Sequence, residues 1–471
     1  MSVSIAAVTG RDQGRDGARY ADGLGLEAER FRELGHHLVD RVADHWAAVD
    51  SAPVLREARL HELGSLGGAV PVEPAGVEEL LDQLADEALE NMQHAGHPRF
   101  FARVPSPTSF TGILGEWLST GFNAIAASWA GGSGPSALEL AVEDWQRDLV
   151  GFPAGSEGVL LSGGSMGNLT AIAAARHAGY DGGVYVSDQT HASIGRALRV
   201  LGYAPEQVRV IPARDGFRWS AGAVRAAVAE AGGGRSIIIA TAGTTNTGAV
   251  DPLADLADLC AERDLWLHID GAYGAPAVMT AVGRAALQGM ERADSLTVDP
   301  HKWLFQPYDI GCVLVRRPGV LEACYGMTPE YLRDVQAEGD EEIDLRNRGL
   351  ELSRRARAAK LWLTFKAHGT SALAEAIGKC IELAERVQAV LESDSYWEVV
   401  TPAQLGVITF AAPELSSPEH VERARALTAG GFAAVSCTEL DGRPVYRLCL
   451  INPRTTLEDV TETLRRLKGT S

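Results

Sequence analysis

Trp266-Leu-His-Ile-Asp-Gly-Ala-Tyr273 and Ser295-Leu-Thr-Val-Asp-Pro-His-Lys-Trp303 are the stretches whose reading decides the fold. Each opens with an apolar run too short for a helix and closes on polar residues mixed with the turn formers Gly or Pro. Similar runs recur as Val159-Leu-Leu161, Val184-Tyr-Val186, Val208-Arg-Val-Ile211, Ile237-Ile-Ile-Ala240 and Cys312-Val-Leu-Val315. Most are separated by helical patterns of ten or more residues, which is the signature of βαβ units. The expected architecture is α/β: a large domain with a mainly parallel, seven-stranded sheet covered on both faces. Ligands of such sheets bind beyond the carboxyl ends of the strands. Most of the chemically interesting side chains of this sequence stand just after a run.

Upstream, residues 24–48 and 77–92 carry apolar residues at helical spacing, and a further helix is expected over 136–149. Downstream, 325–349 is polar and lacks apolar periodicity, as a lid over a site would. Helices are expected over 356–367 and 371–391, followed by strands at 407–410 and 445–450 and a last helix over 457–467. The implied division is a flexible tail at 1–23, an N-terminal helical segment at 24–95, a large domain at 96–367 with its lid at about 325–350, and a small α/β domain at 368–471.

Composition narrows the function. The chain has 471 residues, 46% hydrophobic and 22% charged, which are globular proportions. Asp and Glu number 62 against 43 Lys and Arg, a net charge of −19 that repels nucleic-acid phosphates and anionic lipid. No apolar stretch reaches the roughly 18 residues that span a bilayer, and the first 23 residues lack a signal-peptide core. Six scattered cysteines without a CxxC pair read as reduced thiols of a cytoplasmic protein.

Four features carry chemistry. Ser162-Gly-Gly-Ser-Met-Gly-Asn168 lies between a strand and a helix, where backbone N–H groups can hold a phosphate. The same residues also read as a plain tight turn, or as G-x-S-x-G, the nucleophile elbow of a serine hydrolase with Ser165, Asp270 and His301 in that enzyme's order. Asp270 ends a strand, where a carboxylate can pair with a cationic nitrogen or merely cap a helix. Lys302 follows one strand–helix–strand unit later; desolvation there would lower its pKa and make it a nucleophilic amine. His191 closes Ser187-Asp-Gln-Thr-His191 after another strand. A phosphate cradle, an aspartate, a lysine and a histidine at one sheet edge are what pyridoxal 5'-phosphate requires, with the lysine binding its aldehyde and the aspartate keeping its ring nitrogen protonated.

The segments His97-Pro-Arg-Phe-Phe, Ser187-Asp-Gln-Thr-His191, Ala240-Thr-Ala-Gly-Thr-Thr245, His268-Ile-Asp-Gly-Ala-Tyr273 and Asp299-Pro-His-Lys-Trp303 resemble the group II pyridoxal-phosphate-dependent amino-acid decarboxylases of the aromatic-L-amino-acid decarboxylase type. The likeness is collinear from about Leu24 onward. It implies the fold type I of pyridoxal-phosphate enzymes and a homodimer with sites at the subunit interface, 24–95 serving in dimerisation. It implies a small-molecule amino-acid substrate, which loses carbon dioxide through a Schiff base on Lys302 and a quinonoid intermediate. It further implies Asp270 as partner of the ring nitrogen, His191 stacked on the ring, Gly164, Ser165, Ser295 and His301 around the phosphate, and Thr245 and Ala272 lining the cofactor.

Two departures from the family bear on the reaction. Leu345, in Asp344-Leu-Arg-Asn-Arg348, is expected where the family's lid carries a proton-donating tyrosine. Leucine cannot donate a proton, so aldehyde formation by oxidative deamination stands as an alternative to simple decarboxylation, unless Tyr325 or Tyr331 substitutes. The substrate pocket is expected to include Arg103, Val104, Ser106, Trp129 and Leu345, with Arg103 and Val104 in place of the family's aromatic residues.

Overall fold

The structure, a computed structural model, describes residues 25–73, 75–105, 107–231, 234–327, 330 and 342–469. The tail at 1–23 and most of the polar segment after residue 327 lie outside the described residues. Contacts divide the chain into two compact units, one up to Gln93 and one from His94 onward.

The first unit is a helical pair, α1 (Ala28–Ala48) and α2 (Val77–Gln83), with a π turn at Leu84–Leu89 continuing the second helix. Complementary charges hold the pair together. Arg30 donates to Glu78 at 2.7 Å, His37 meets Asp82 at 2.8 Å, Arg41 pairs with Asp86, and His45 meets Glu90 at 2.8 Å. Phe31, Leu38, Leu80 and Leu84 remain exposed on this unit.

The second unit opens with α3 (Phe110–Gly121) and α4 (Trp129–Val150), then a seven-stranded sheet. Its strands are β1 (Glu157–Leu161), β2 (Val184–Ser187), β3 (Val208–Ile211), β4 (Ile237–Thr241), β5 (Trp266–Asp270), β6 (Ser295–Val298) and β7 (Gly311–Val315). All seven expected runs are strands. They lie in the order β1-β7-β6-β5-β4-β2-β3; β7 is antiparallel to both its neighbours, and the other pairs are parallel. Because β7 reverses twice, β1 runs parallel to β6, and the carboxyl ends of β1, β2, β4, β5 and β6 share one edge.

Strand residues alternate between two apolar layers, since successive side chains of a strand point to opposite faces. Val159, Leu161, Ile237, Ile239, Val313 and Val315 pack with α5 (Gly164–His177) and α6 (Ala192–Val200). Leu160, Ile238, Ala240, Leu267, Ile269, Leu296 and Val298 pack with residues of α4, α7 (Ala221–Glu230) and α8 (Leu253–Arg263). The short helices α9 (Ala281–Ala286), α10 (Pro300–Trp303) and α11 (Val320–Tyr325) complete the connections.

The expected pair of helices after the polar segment is one element, α12 (Ala358–Ser393), kinked at Gly369, whose φ of 71° suits only a residue without a Cβ. The expected domain boundary at 367/368 falls inside it. Its second half covers an antiparallel sheet of order β10-β11-β9-β8, built from β8 (Glu398–Gln404), β9 (Val407–Ala411), β10 (Ser436–Leu440) and β11 (Arg443–Cys449), with α13 (Ser417–Ala429) and α14 (Leu457–Lys468) beside it. Only β9 and β11 were expected. β8 and β10 are edge strands, largely half-buried, and β8 carries Pro402, so neither shows a clean apolar pattern. α4 begins seven residues earlier than its apolar pattern, because Ser128 caps it by accepting from the Gly131 N–H at 3.2 Å.

Candidate active site

The carboxyl edge of the sheet encloses a cavity of about 390 Å³. It is lined by Gly164, Ser165, His191, Thr245, Asp270, Ala272, His301 and Lys302, all expected site residues, and also by Ser162, Asn168, Ser193, Thr241, Asp299 and Tyr308.

At one end, β1 turns into α5 through Gly163 and Gly164. The turn is pressed against its neighbours: a Cβ on Gly164 would lie 2.9 Å from Asp299 Oδ2, and one on Gly311 would lie 2.5 Å from the Gly163 Cα. The Met166 and Gly167 N–H groups donate to Gly163 O at 3.0 and 2.9 Å, which leaves the Gly164 and Ser165 N–H groups at the start of α5, with His301, as a donor set for an anion. Burial lowers the His301 pKa despite the neighbouring Asp299 carboxylate.

At the centre is Asp270, whose strand aligns it with Thr241 and Thr297 of the flanking strands. Its Oδ2 accepts from Asn168 Nδ2 at 3.0 Å, and its Oδ1 from the Ala272 N–H at 3.2 Å. Only 6% of Asp270 is exposed, so its charge acts in a weakly screened setting.

Lys302 corrects an expectation. Its Nζ lies 3.0 Å from Asp299 Oδ2, one helical turn away. Burial works to lower its pKa, but the charges of Asp299 and Asp270 and the hydrogen bond to Asp299 together outweigh burial, so the pKa is raised. Lys302 is thus held as an ammonium and must shed a proton before it can attack a carbonyl.

Ser295 corrects another. It does not line the cavity; its fully buried hydroxyl accepts from Trp266 Nε1 at 2.8 Å and bonds His268 Nδ1 at 2.9 Å. It begins β6, and the phosphate end lies past that strand's other end.

Of the expected substrate residues, the described ones, Arg103, Val104, Trp129 and Leu345, do not line this cavity within the chain. Arg103 is exposed, in a left-handed conformation (φ 58°), and its N–H donates to Ser436 Oγ at 2.8 Å. Val104 packs on the larger core, Trp129 opens α4 with its N–H donating to Asp344 Oδ1 at 2.9 Å, and Ser106 lies outside the described residues. Leu345 is fully buried with Ala126 and Ala356, and the Arg346 N–H donates to Ala127 O at 2.9 Å. A side chain locked in that cluster is core and does not line the cavity within the chain. Leu345→Tyr should therefore cost about 1–3 kcal/mol through overpacking and leave the product unchanged. Thermal denaturation and product analysis check this, and a shift in the ratio of amine to aldehyde would return position 345 to the reaction. Of the tyrosines considered as substitutes, Tyr325 donates its hydroxyl to Thr170 O at 3.3 Å, and Tyr331 lies outside the described residues.

The hydrolase reading fails on geometry. Asp270 is bonded to Asn168 and Ala272, while His301 Nδ1 accepts from the Ile310 N–H at 3.4 Å and its Nε2 lies 3.6 Å from Asp299. Among the described residues no hydrogen bond links Ser165, His301 and Asp270 into a relay. Asn168 and Asp299 lie inside the glycine turn and the lysine motif without an assigned role, Ser193 stands two residues past His191, and Tyr308 had no local signal. It arrives by the loop after α10, with its ring 4.8 Å from that of His301.

These residues fit pyridoxal phosphate. The Gly164 and Ser165 N–H groups at the start of α5 offer a phosphate its donors at one end of the cavity, Asp270 supplies a buried carboxylate for a protonated ring nitrogen, and Lys302 offers an amine in the same cavity.

Comparison with known proteins agrees. Residues 61–181 and 182–413 match the pyridoxal-dependent decarboxylase conserved domain. The chain is 43% identical over 465 residues to an aromatic-L-amino-acid decarboxylase of Bacillus atrophaeus, covering 95% of this chain and 97% of that one. It is 32% identical to a phenylacetaldehyde synthase of Petunia hybrida, over 82% of this chain and 80% of the relative. The crystal structure of Oryza sativa TDC with PLP and tryptamine superposes with a TM-score of 0.88 at 28% identity, covering 94% of this chain and 98% of that one. With the lysine, aspartate and phosphate turn converging on one cavity and a conserved domain matched over most of its length, this chain belongs to the pyridoxal-dependent decarboxylases and is a carboxy-lyase of fold type I.

Proposed function

We propose that the chain converts an aromatic L-amino acid to its amine, working as a cytoplasmic homodimer. The observation that carries the reading is the placement of Lys302 and the buried, amide-anchored Asp270 in one cavity, in a chain 43% identical to an aromatic-L-amino-acid decarboxylase.

When bound, pyridoxal phosphate accepts the electron pair left on the α-carbon as carbon dioxide departs. Lys302 holds the cofactor through its amine, once Asp299 no longer holds that amine as an ammonium. Asp270 holds a proton on the ring nitrogen by its negative charge. Gly164, Ser165 and His301 would hold the phosphate, and His191, in the cavity wall, would face the ring.

Dimerisation is supported by α3 and its C-cap, where exposed Leu114, Leu118 and Phe122 recur every fourth residue along one stripe. Among the described residues no helix is long and apolar enough to cross a membrane. The six free thiols fit a reducing compartment.

The test is product analysis of purified holoenzyme with aromatic and acidic L-amino acids. Amine in step with carbon dioxide from an aromatic substrate supports the reading. The likeness to an aldehyde synthase favours a second outcome, in which dioxygen and water are consumed and aldehyde, ammonia and hydrogen peroxide accompany the carbon dioxide. That outcome would replace the amine reading, and exclusive turnover of acidic substrates would overturn the substrate class.

A further inference from the structure

A buried chain of hydrogen bonds runs from the sheet interior to both Asp270 and His191, and the chemistry of its members assigns its polarity. Trp266 Nε1 can only donate, and it donates to Ser295 Oγ at 2.8 Å. Asn168 Nδ2 has two protons and uses them on Asp270 Oδ2 and Ser193 Oγ, both at 3.0 Å. Asn168 Oδ1 is therefore an acceptor, so the atom facing it at 3.0 Å, His268 Nε2, carries a proton.

His268 is fully buried, and burial lowers its pKa to about 4, so near neutral pH its ring has one proton only. That proton is on Nε2, which leaves Nδ1 to accept the Ser295 O–H at 2.9 Å. At the other end, Ser193 Oγ takes the Asn168 proton, and its own hydroxyl donates to His191 Nδ1 at 2.8 Å. The Ser193 N–H reaches the same nitrogen at 3.3 Å. In a neutral His191 the proton must then sit on Nε2.

Turning the Asn168 amide over would set its oxygen against the Asp270 carboxylate and its nitrogen against His268 Nε2–H. Two repulsive contacts would replace two hydrogen bonds. His268 is thus the latch that holds Asn168 in one orientation, and Asn168 bonds the aspartate of the cofactor pocket directly and reaches its histidine through Ser193.

We propose that Asn168, latched by His268, is a positioning residue that orients the Asp270 carboxylate toward the cofactor's ring nitrogen and fixes His191 with its proton on Nε2. This rests on the reading of Asp270 as partner of that nitrogen. A network serving stability alone would matter equally for any cofactor of the same shape. The proposed role matters only where the ring nitrogen is present.

The test compares binding of pyridoxal phosphate with binding of its deaza analogue, in which carbon replaces the ring nitrogen, followed by absorbance titration of the apo chain. Wild type is expected to prefer pyridoxal phosphate. Asn168→Leu and His268→Leu should reduce that preference at least about tenfold, a change of roughly 1.4 kcal/mol. His268→Gln should retain it, because a glutamine amide can donate to Asn168 and accept from Ser295. Since the two leucine variants remove buried polar groups and can fail to fold, His268→Gln is the second arm: a lost preference in that variant overturns the latch. Equal weakening of both ligands in the leucine variants, or an unchanged preference, overturns the positioning role. A wild type that binds both ligands equally removes Asp270 from its assigned role, whatever the variants do. Borohydride trapping on Lys302 separately confirms that the cofactor is seated.

Discussion

Lys302→Ala is expected to abolish covalent attachment of the cofactor and to lower turnover by roughly 10³-fold or more, the order of effect of removing an activated nucleophile. Borohydride reduction of the wild-type holoenzyme followed by peptide mapping should place the label on the peptide containing Lys302. A label elsewhere, or retained activity in the variant, would refute the assignment. The alanine variant has a second consequence. The Lys302 ammonium is the cation 3.0 Å from Asp299, which is only 2% exposed, and removing it leaves a buried carboxylate without its partner. Breaking one side of such a pair typically costs about 3–5 kcal/mol. Lys302→Arg separates the two effects: a guanidinium keeps the charge beside Asp299 but cannot form the imine. The arginine variant should melt near wild type and the alanine variant well below it, with both inactive. The raised pKa of Lys302 also sets a sign for reconstitution. Only the neutral amine attacks an aldehyde, and its fraction at neutral pH is smaller than for an ordinary lysine, so attachment to the apo chain should accelerate as pH rises.

Asp270→Ala should come close to the lysine variant in effect. A neutral pyridine is a poor electron sink, and removing one preorganised charge from a buried site commonly costs about 10²–10³ in turnover. Cofactor affinity should fall as well. Asp270→Asn, nearly isosteric, should show the same loss of turnover with less loss of stability, since its side-chain oxygen can still accept from Asn168. Near-normal turnover in either variant would end the role assigned to Asp270. The lysine and aspartate predictions are independent: trapping on Lys302 reports attachment, and Asp270 variants should still be trapped there while reacting slowly.

The sequence by itself determined the strands of the large sheet and about half of the cavity wall. A buried strand is a local object, readable from an apolar run bounded by turn formers. In a parallel sheet, residues just past such runs necessarily meet at one edge. That is why the turn at Gly164, His191, Asp270 and Lys302 were identifiable before any contact was known, whereas Thr245 and the phosphate role of His301 came only from the family resemblance. Tertiary structure alone decided what depends on a partner distant in the chain. Ser295 bonds Trp266 and His268 rather than facing the phosphate end, since strand register sets which end of β6 it occupies. Leu345 is core because Ala126, in the segment leading into α4, and Ala356 lie against it, and a leucine carries no mark distinguishing a lid from a small apolar cluster. The Lys302 pKa rises instead of falling because Asp299 and Asp270 lie close enough for charge attraction to exceed the desolvation of the ammonium, a balance of distances that no linear spacing contains. Asn168 shows the same limit most clearly: its two protons acquire meaning only when β5 and α6 bring Asp270 and Ser193 within 3.0 Å of one amide.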